Sequence, residues 1–169
     1  VNERKIKVAA DTSLHQLCKF EKPDADLMIL NGFPCTDDPQ LSDGDRVVLI
    51  RRGEQPSADE MEALMMSRHT PGVHEKIHQC TVGIAGAGGL GSNIAIALTR
   101  IGIGRLIIVD FDMVEPSNLN RQQYFIDQIG QPKVEALRDI LMRINPWVDV
   151  QTTIKRVTVD NISVLFGEA

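Results

Sequence analysis

Three glycines are the residues whose type and spacing most clearly predict chemistry. Gly86, Gly88 and Gly91 form a GxGxxG pattern in the run GAGGLGS, between a short apolar segment and a helical one. A backbone without side chains can approach a phosphate closely, and the following helix directs free N–H groups and its positive dipole end toward the anion. A tight strand-to-helix turn without a ligand is the structural alternative. The pattern favours a phosphate-binding loop.

The end of the next apolar segment, RLIIVD, carries an acidic side chain, Asp110. A carboxylate at this place in a nucleotide-binding fold can accept hydrogen bonds from ribose hydroxyls. NAD and ATP both contain a ribose and phosphates, so the glycines and Asp110 leave both nucleotides open. An NAD-dependent oxidoreductase therefore stays an alternative at this point.

Two cations follow in the segments DFDMVEPSNLNRQQYF and GQPKVEAL, where Arg121 and Lys133 flank a short loop in an acidic protein. Cations that converge near a phosphate loop suit a reaction at the phosphates of a nucleotide. An ordinary dinucleotide fold has no need of them, so they favour ATP over NAD. Two unrelated surface charges are the alternative.

One further pattern resembles a metal site. His74 to His78 reads HEKIH and fits HExxH, which on a long helix would place two imidazoles on one face for zinc, with a glutamate as base. Pro71 and Gly72 precede it closely and a strand is predicted from about Cys80, so the helix is short and no third ligand is evident. We predict no metal site and no metalloprotease.

Composition excludes several classes of function. The net charge of −5 over 169 residues argues against nucleic acid as the main partner. No apolar run approaches the ~18 residues of a membrane span, and the start VNERKIKV lacks the apolar stretch of a signal peptide. The three cysteines are far apart, which fits a reducing cytoplasm. We predict that Cys80 and Cys18 are buried and that Cys35 is the one exposed cysteine, none of them nucleophilic.

The second half of the chain predicts a βαβ unit. An apolar strand begins at Cys80 (CTVGIA), a helix covers 93–101, and a continuous apolar strand covers 105–110. Strands that are apolar throughout are buried on both faces, which indicates a parallel sheet between helices. A helix over 132–144, a strand over 147–154 and a short helix over 160–166 follow. We expect part of a Rossmann-like, doubly wound α/β domain.

The first 53 residues predict a β-grasp domain. A half-buried strand is expected over 5–9 after a hairpin turn at residues 2–4, then a helix with Leu14, Leu17 and Cys18 on its apolar face. Strands over 27–30 and 46–50 complete the unit. Residues 54–60 are predicted to be a linker, followed by a helix with Met61, Leu64 and Met65 as its buried stripe, and the nucleotide-binding domain would occupy 61–169.

Over residues 68 to 150 the run GAGGLGS…VDFD…SNLNRQ…GQPK…RINP resembles the ThiF/MoeB family of adenylating enzymes, relatives of the ubiquitin-activating enzymes. The resemblance implies that ATP, as MgATP, is bound and that the C-terminal glycine carboxylate of a ubiquitin-like sulfur carrier protein is adenylated. It implies catalytic roles for Arg121, Lys133 and Arg68, the last often donated by the other subunit of a dimer in the family. The implied nucleotide-binding residues are Gly86, Gly88, Gly89, Gly91, Asp110, Asn118 and Gln122.

The chain departs from this family in what it lacks. The magnesium-binding aspartate of the family would follow Ala169, and neither the zinc-binding CxxC pairs nor a reactive cysteine is present. The resemblance therefore places the magnesium ligand outside this chain and suggests a fragment of a longer protein, for which activity alone is in question. A homodimer is implied, without nucleic acid or membrane as partner.

Residues 1–53 resemble the ThiS-type ubiquitin-like sulfur carriers, on the strength of NG in the middle and LSDGDRVVLI near the end. Such a carrier exposes a free Gly-Gly terminus, whereas Arg51-Arg52-Gly53 continues directly into Glu54. The domain is therefore expected to have the shape of a carrier without being the substrate. The fused domain favours thiamine biosynthesis over molybdopterin synthesis, and a carrier-mimicking regulatory or assembly module is the non-enzymatic alternative.

Overall fold

The computed structural model describes residues 1–2, 5–66, 73–167 and 169. Two compact units divide these residues, Val1–His74 and Glu75–Ala169. The architecture is mixed α/β, as predicted, with a separate sheet in each unit. In the described residues, no helix is both long and apolar enough to span a membrane.

The first unit is a small β-grasp-like sheet with helices. Its antiparallel sheet has the order β2 (Phe33–Pro34), β1 (Leu27–Leu30), β3 (Val47–Ile50). The helix α1 (Leu14–Glu21) packs its apolar side against that sheet. Ser13 caps α1 and forms a capping box with Gln16, which satisfies two N–H groups of the first turn. The first unit also contains α2 (Ala58–Met66), and α3 (Val73–His78) begins in it and continues into the second unit.

The prediction of a strand over residues 5–9 is wrong, because these residues have no regular structure. The side chain of Asn2 pairs with β3 instead: its Nδ2 donates to Leu49 O at 3.0 Å, and its Oδ1 accepts from Leu49 N at 2.8 Å. A single amide therefore satisfies backbone groups that a neighbouring strand would have paired. The turn predicted at 2–4 lies partly outside the described residues.

The helix α2 packs on the first unit. Leu64 contacts the cluster of Ile29 and Ile50, while Glu60, which is 8% exposed, accepts from Asn2 Nδ2 at 2.9 Å and pairs with Lys22 Nζ at 3.3 Å. These contacts place α2 with the β-grasp sheet. Met61, Leu64 and Met65 are half-buried rather than buried. The domain boundary at 54–60 stays a prediction.

The second unit is a parallel sheet with helices, and its strand order is β4 (Thr81–Ala85), β5 (Arg105–Asp110), β6 (Asp149–Ile154). Leu106 and Ile108 of the central strand are fully buried in a cluster that includes Ala95, Val134 and Leu137 from two helices. Burial of both strand faces confirms the α/β prediction. The helices are α4 (Gly89–Arg100), α5 (Lys133–Ile144) and α6 (Ile162–Phe166).

Two details of this unit differ from the sequence-based expectation. Helix α4 begins at Gly89, four residues earlier than predicted, because Gly88 is its N-cap and the end of the glycine loop forms its first turn. Cys80 is exposed, so the prediction that it is buried is wrong. It precedes β4 and lies outside the sheet, with Sγ 3.0 Å from Lys76 O. Cys18 is buried as predicted, but Cys35 is half-buried, so the prediction that it is the one exposed cysteine is also wrong.

Candidate nucleotide-binding site

The glycine loop leaves the carboxyl end of β4 and turns sharply into α4. Gly86 has φ of +94°, a left-handed conformation that favours glycine, and its N–H donates to Val109 O at 2.8 Å. At Gly91 an added Cβ would lie 1.8 Å from Gly86 O. These two glycines are therefore required by the fold of the loop itself.

Gly88 differs from Gly86 and Gly91 because it has neither a positive φ nor a close contact, and a Cβ there would enter open space. Its φ of −78° and ψ of −153° are open to other residues. The packing of the free protein therefore gives no reason for glycine at this position. A ligand that approaches the backbone here would explain the glycine. The twelve-residue α4 begins at the next residue, so its free N–H groups are close to such a ligand.

Asp110 is the last residue of β5, and its side chain accepts a hydrogen bond from the glycine loop. Its carboxylate is 9% exposed, with Oδ2 accepting from Ala87 N at 2.6 Å and Oδ1 from Asp112 N at 2.8 Å. Each carboxylate oxygen has a second lone pair, so these hydrogen bonds leave capacity for a ribose hydroxyl. The contact to the loop is a role that sequence reasoning did not predict for this residue.

Arg121 lies beside the glycine loop, with its carbonyl oxygen 3.6 Å and its Cγ 3.8 Å from where a Cβ of Gly89 would be. Its exposed guanidinium donates to Ser117 O at 3.0 Å and Asn120 Oδ1 at 2.9 Å. Asn118 is buried and organises this turn, since its Oδ1 accepts from Glu115 N and its carbonyl from Arg121 N. The structure therefore places Arg121 beside the loop, and its catalytic role stays a prediction.

Gln122 is buried next to Arg121, and its Oε1 has no hydrogen-bond partner within the described ranges. A buried acceptor without a partner costs free energy unless a further group satisfies it. Gln122 was predicted to bind nucleotide, and that role stays a prediction.

Lys133 begins α5 and is also almost fully buried. Its Nζ lies 2.8 Å from Asp112 Oδ2, and its side chain is only 8% exposed. An ammonium has three N–H donors, so the single contact with Asp112 leaves donors for an anion. Asp112 was not predicted as a site residue, although it belongs to the VDFD run.

Tyr124 connects the glycine loop with the start of α5. Its buried hydroxyl is 2.5 Å from Ala87 O and 3.3 Å from Lys133 O. Burial, together with the negative charge of Asp110, raises the pKa of Tyr124 far above its usual range, so the hydroxyl stays a donor. The sequence prediction missed this residue, although it is the one tyrosine of the chain.

A cavity of about 300 Å³ opens beyond the carboxyl ends of the three parallel strands, next to the glycine loop. This edge of an open parallel sheet is where α/β proteins bind ligands. Phe111, Lys155 and Arg156 were not predicted as site residues. The lining residues are Ala85, Gly86, Val109, Asp110, Phe111, Asp112, Lys155, Arg156 and Val157.

Two further sequence-based expectations concern Arg68 and the HEKIH pattern. Arg68 falls outside the described residues. The HEKIH pattern forms the six-residue α3, in which His74 is buried. Across the described part of the chain, no three His, Cys, Asp or Glu residues form a group that could hold a metal ion.

Comparison with known proteins decides the family. Residues 62–169 match the model of the ThiF family. The chain belongs to the ThiF family. Residues 1–53 of this ThiF-family chain match the ThiS-like ubiquitin family, which confirms both resemblances.

Several relatives of this ThiF-family chain are ubiquitin-like modifier-activating enzymes. Enzyme 5 of Caenorhabditis briggsae is 45% identical over 95 residues, covering 56% of the chain, and that of Caenorhabditis elegans is 46% identical over 89 residues, covering 52%. The chain spans about a fifth of these relatives, 22% and 21% of their lengths.

Solved structures support the fold. Escherichia coli tRNA N6-threonylcarbamoyladenosine dehydratase in complex with ATP is similar with a TM-score of 0.62 and 28% identity, over 67% of this chain and 48% of that one. Escherichia coli MccB with ATP is similar with a TM-score of 0.51 and 29% identity, over 57% of this chain and 30% of that one.

Proposed function

We propose that this ThiF-family protein binds ATP and adenylates the C-terminal glycine carboxylate of a ubiquitin-like sulfur carrier protein, as a sulfur carrier protein adenylyltransferase. The observation that carries the proposal is that Asp110 and Arg121 both contact one glycine loop, while the ammonium of Lys133 lies 2.8 Å from Asp112, two residues after Asp110. The ATP complexes of two structural relatives support the choice of nucleotide. The relatives that activate ubiquitin-like modifiers support the choice of substrate class.

In this proposal the glycine loop and the N-terminus of α4 bind the phosphates. Asn118 and Gln122 are proposed to line the phosphate site as well. The glycines of the loop are Gly86, Gly88, Gly89 and Gly91. Asp110 would accept a ribose hydroxyl with its remaining lone pairs. The cavity at the carboxyl ends of the strands then receives the nucleoside half of ATP.

The reaction joins two anions, so positioning and neutralisation of charge are the main tasks of the protein. A carboxylate oxygen of the carrier attacks the α-phosphorus, an oxygen–phosphorus bond forms, and the bond from the α-phosphorus to the β-bridging oxygen breaks. Pyrophosphate leaves and the acyl-adenylate remains. Arg121 and Lys133, with Arg68 as a proposed third cation, would neutralise the charge that develops on the phosphates.

Magnesium is proposed to arrive with ATP, since Mg²⁺ is bound largely through substrate phosphates and few protein ligands. The described residues do not fit a metal site of their own, because the exposed carboxylate of Asp112 is already paired with Lys133 and no ligand cluster is present among them. The protein ligand is proposed to lie outside this chain.

The carrier-like domain is proposed to assist rather than to be the substrate. Gly53 is followed directly by residues that lead into α2, and Arg51 is paired with Asp24 at 2.9 Å and with Glu54 at 3.4 Å. This fused domain favours thiamine biosynthesis, with molybdopterin synthesis as the sister possibility. We further propose a homodimer in the cytoplasm, with neither nucleic acid nor membrane as partner.

ATP–pyrophosphate exchange tests the proposal, measured on the 169-residue chain and on any longer natural form with candidate Gly-Gly carriers. We expect carrier-dependent exchange, and we expect Arg121→Ala to abolish it because the phosphates lose their exposed cation at the loop. Arg138→Ala is the matched control, since Arg138 is an exposed arginine of α5 outside the site. Full exchange by the Arg121→Ala variant would refute the assignment.

A non-enzymatic module is the second candidate. The attachment of α2 to the β-grasp sheet through Glu60 favours it, because a fixed carrier-like surface can occupy a carrier's docking place. ATP binding without any carrier-dependent exchange in the longest natural form would support this candidate. Binding of NAD in preference to ATP would instead support an oxidoreductase.

A further inference from the structure

A stacked pair of side chains forms part of the wall of the cavity beyond the parallel strands. The guanidinium carbon of Arg156 lies 4.7 Å from the centroid of the Phe111 ring, well within cation–π distance. Both residues line the cavity and both are exposed, Phe111 to 48%. The pair therefore presents a partly apolar, cationic surface that a ligand can reach.

The loop after β6 holds Arg156 at this place. Asn161 accepts from Thr158 N with its Oδ1 at 2.8 Å and donates from its Nδ2 to Arg156 O at 2.9 Å. The backbone N–H of Asn161 also donates to Thr158 O at 3.2 Å. One asparagine thus closes the turn and fixes the backbone of Arg156 beside the cavity.

The position of Phe111 is set independently by the sheet. It follows Asp110, whose two carboxylate oxygens accept from Ala87 N and Asp112 N. The ring is therefore anchored next to the residue proposed to bind ribose. The proposed site binds the phosphates at the glycine loop and the ribose at Asp110. The base of the nucleotide still needs a binding surface.

We propose that Phe111 and Arg156 form the platform on which the purine base of the nucleotide stacks, and that they set the affinity for the nucleoside half of ATP. This inference rests on the proposed ATP site. A planar guanidinium and an aromatic ring both offer flat surfaces to a base, and base stacking contributes ~1–3 kcal/mol by alanine substitution. Arg156 is thus a base-binding residue and not a phosphate ligand.

The alternative role of Arg156 is a charge contact with the phosphates, and salt distinguishes the two. Attraction between a side-chain cation and phosphates at an exposed site weakens as ionic strength rises. Stacking has no such dependence. Lys155 lines the same cavity and carries the same charge, but its ammonium is not planar. Loss of Lys155 therefore removes a charge without removing a stacking surface, and it serves as the control for loss of Arg156.

The experiment is calorimetric titration of the 169-residue chain with ATP at low and at high salt. We expect Arg156→Ala to weaken ATP binding about 5- to 150-fold, the equivalent of the stacking range above, by the same factor at both salt concentrations. Phe111→Leu should cause a loss of similar size, because it keeps an apolar side chain but removes the ring. Arg156→Lys keeps the charge and should also lose affinity.

Several results would overturn the inference. They are unchanged ATP affinity in Arg156→Ala, full affinity in Arg156→Lys, or a loss that disappears at high salt and equals that of Lys155→Ala. Failure of the unaltered chain to bind ATP would refute the proposed nucleotide site itself, which is a separate outcome. Thermal unfolding followed by circular dichroism checks that each variant is folded, as expected for exposed side chains.

Discussion

The two glycines at positions 88 and 91 are expected to fail in different ways when alanine replaces them. At Gly88 the added methyl enters open space and the backbone angles suit alanine. The weaker N-cap preference of alanine costs a few tenths of a kcal/mol to about 1 kcal/mol, and the stiffer unfolded chain offsets ~0.4–1 kcal/mol of that. Gly88→Ala should therefore keep the stability of the protein but occupy the space proposed for a phosphate.

At Gly91 the methyl would be 1.8 Å from Gly86 O and 3.2 Å from Ile84 Cγ2. Backbone cannot give way as a flexible side chain can, so the loop and α4 must separate. Overpacking of this kind costs roughly 1–3 kcal/mol, while the better helix propensity of alanine returns at most ~1 kcal/mol. Because the contacting atom is backbone, we take the upper half of that cost, and Gly91→Ala should lower the free energy of unfolding by about 1–2 kcal/mol.

Urea unfolding and ATP titration separate the two effects. Trp147 is the single tryptophan and belongs to the second unit, so its fluorescence follows the unfolding of the part that contains the loop. We expect Gly88→Ala to unfold at the same urea concentration as the unaltered chain and to bind ATP at least about tenfold more weakly, or ~1.4 kcal/mol.

An unaltered ATP affinity in a stable Gly88→Ala variant would refute the reasoning that a ligand is the reason for glycine at this position. Unaltered stability in Gly91→Ala would refute the packing argument, because the distances leave no room for the methyl without movement of the backbone.

Two predictions concern Tyr124. Tyr124→Phe removes the hydroxyl that contacts the carbonyls of Ala87 and Lys133 and should lower the free energy of unfolding by ~1 kcal/mol in urea titration, whereas an unchanged midpoint would show that the link is not needed. Because burial and Asp110 raise the pKa of Tyr124 in the folded state, its contribution is complete below the unfolded value of about 10 and is lost as the pH rises further. The unaltered chain should therefore lose stability above pH ~10 more steeply than Tyr124→Phe, and equal slopes would contradict the assigned direction.

Short-range patterns explain why much of the second unit could be predicted. The strand β5 was predicted with its observed bounds, because an apolar run ending in aspartate requires burial on both faces wherever it is placed. The glycine spacing also acts locally, through the left-handed Gly86 and the contact between Gly91 and Gly86 O. In the βαβ unit the errors concerned the ends of helices and strands. Helix α4, for example, begins within the glycine loop, because the loop and the first helical turn share residues.

Predictions failed where a distant partner decides the outcome. The alternating pattern of 5–9 predicts a strand, but strand pairing needs a free edge, and Asn2 occupies the one at Leu49. Cys80 was placed in a strand by its apolar neighbours, and the sheet begins one residue later, which leaves it in solvent. Neither result can be deduced from residues within one turn or one strand.

The sequence by itself determined the family, the parallel βαβ unit and the glycine loop. These depend on spacing along the chain and on residue types that few other folds require. Only the tertiary structure showed that Tyr124 joins the loop to α5 and that Arg156 stacks on Phe111, 45 positions earlier in the sequence. Such contacts join segments that meet because the sheet brings their ends together, and no local pattern encodes that meeting.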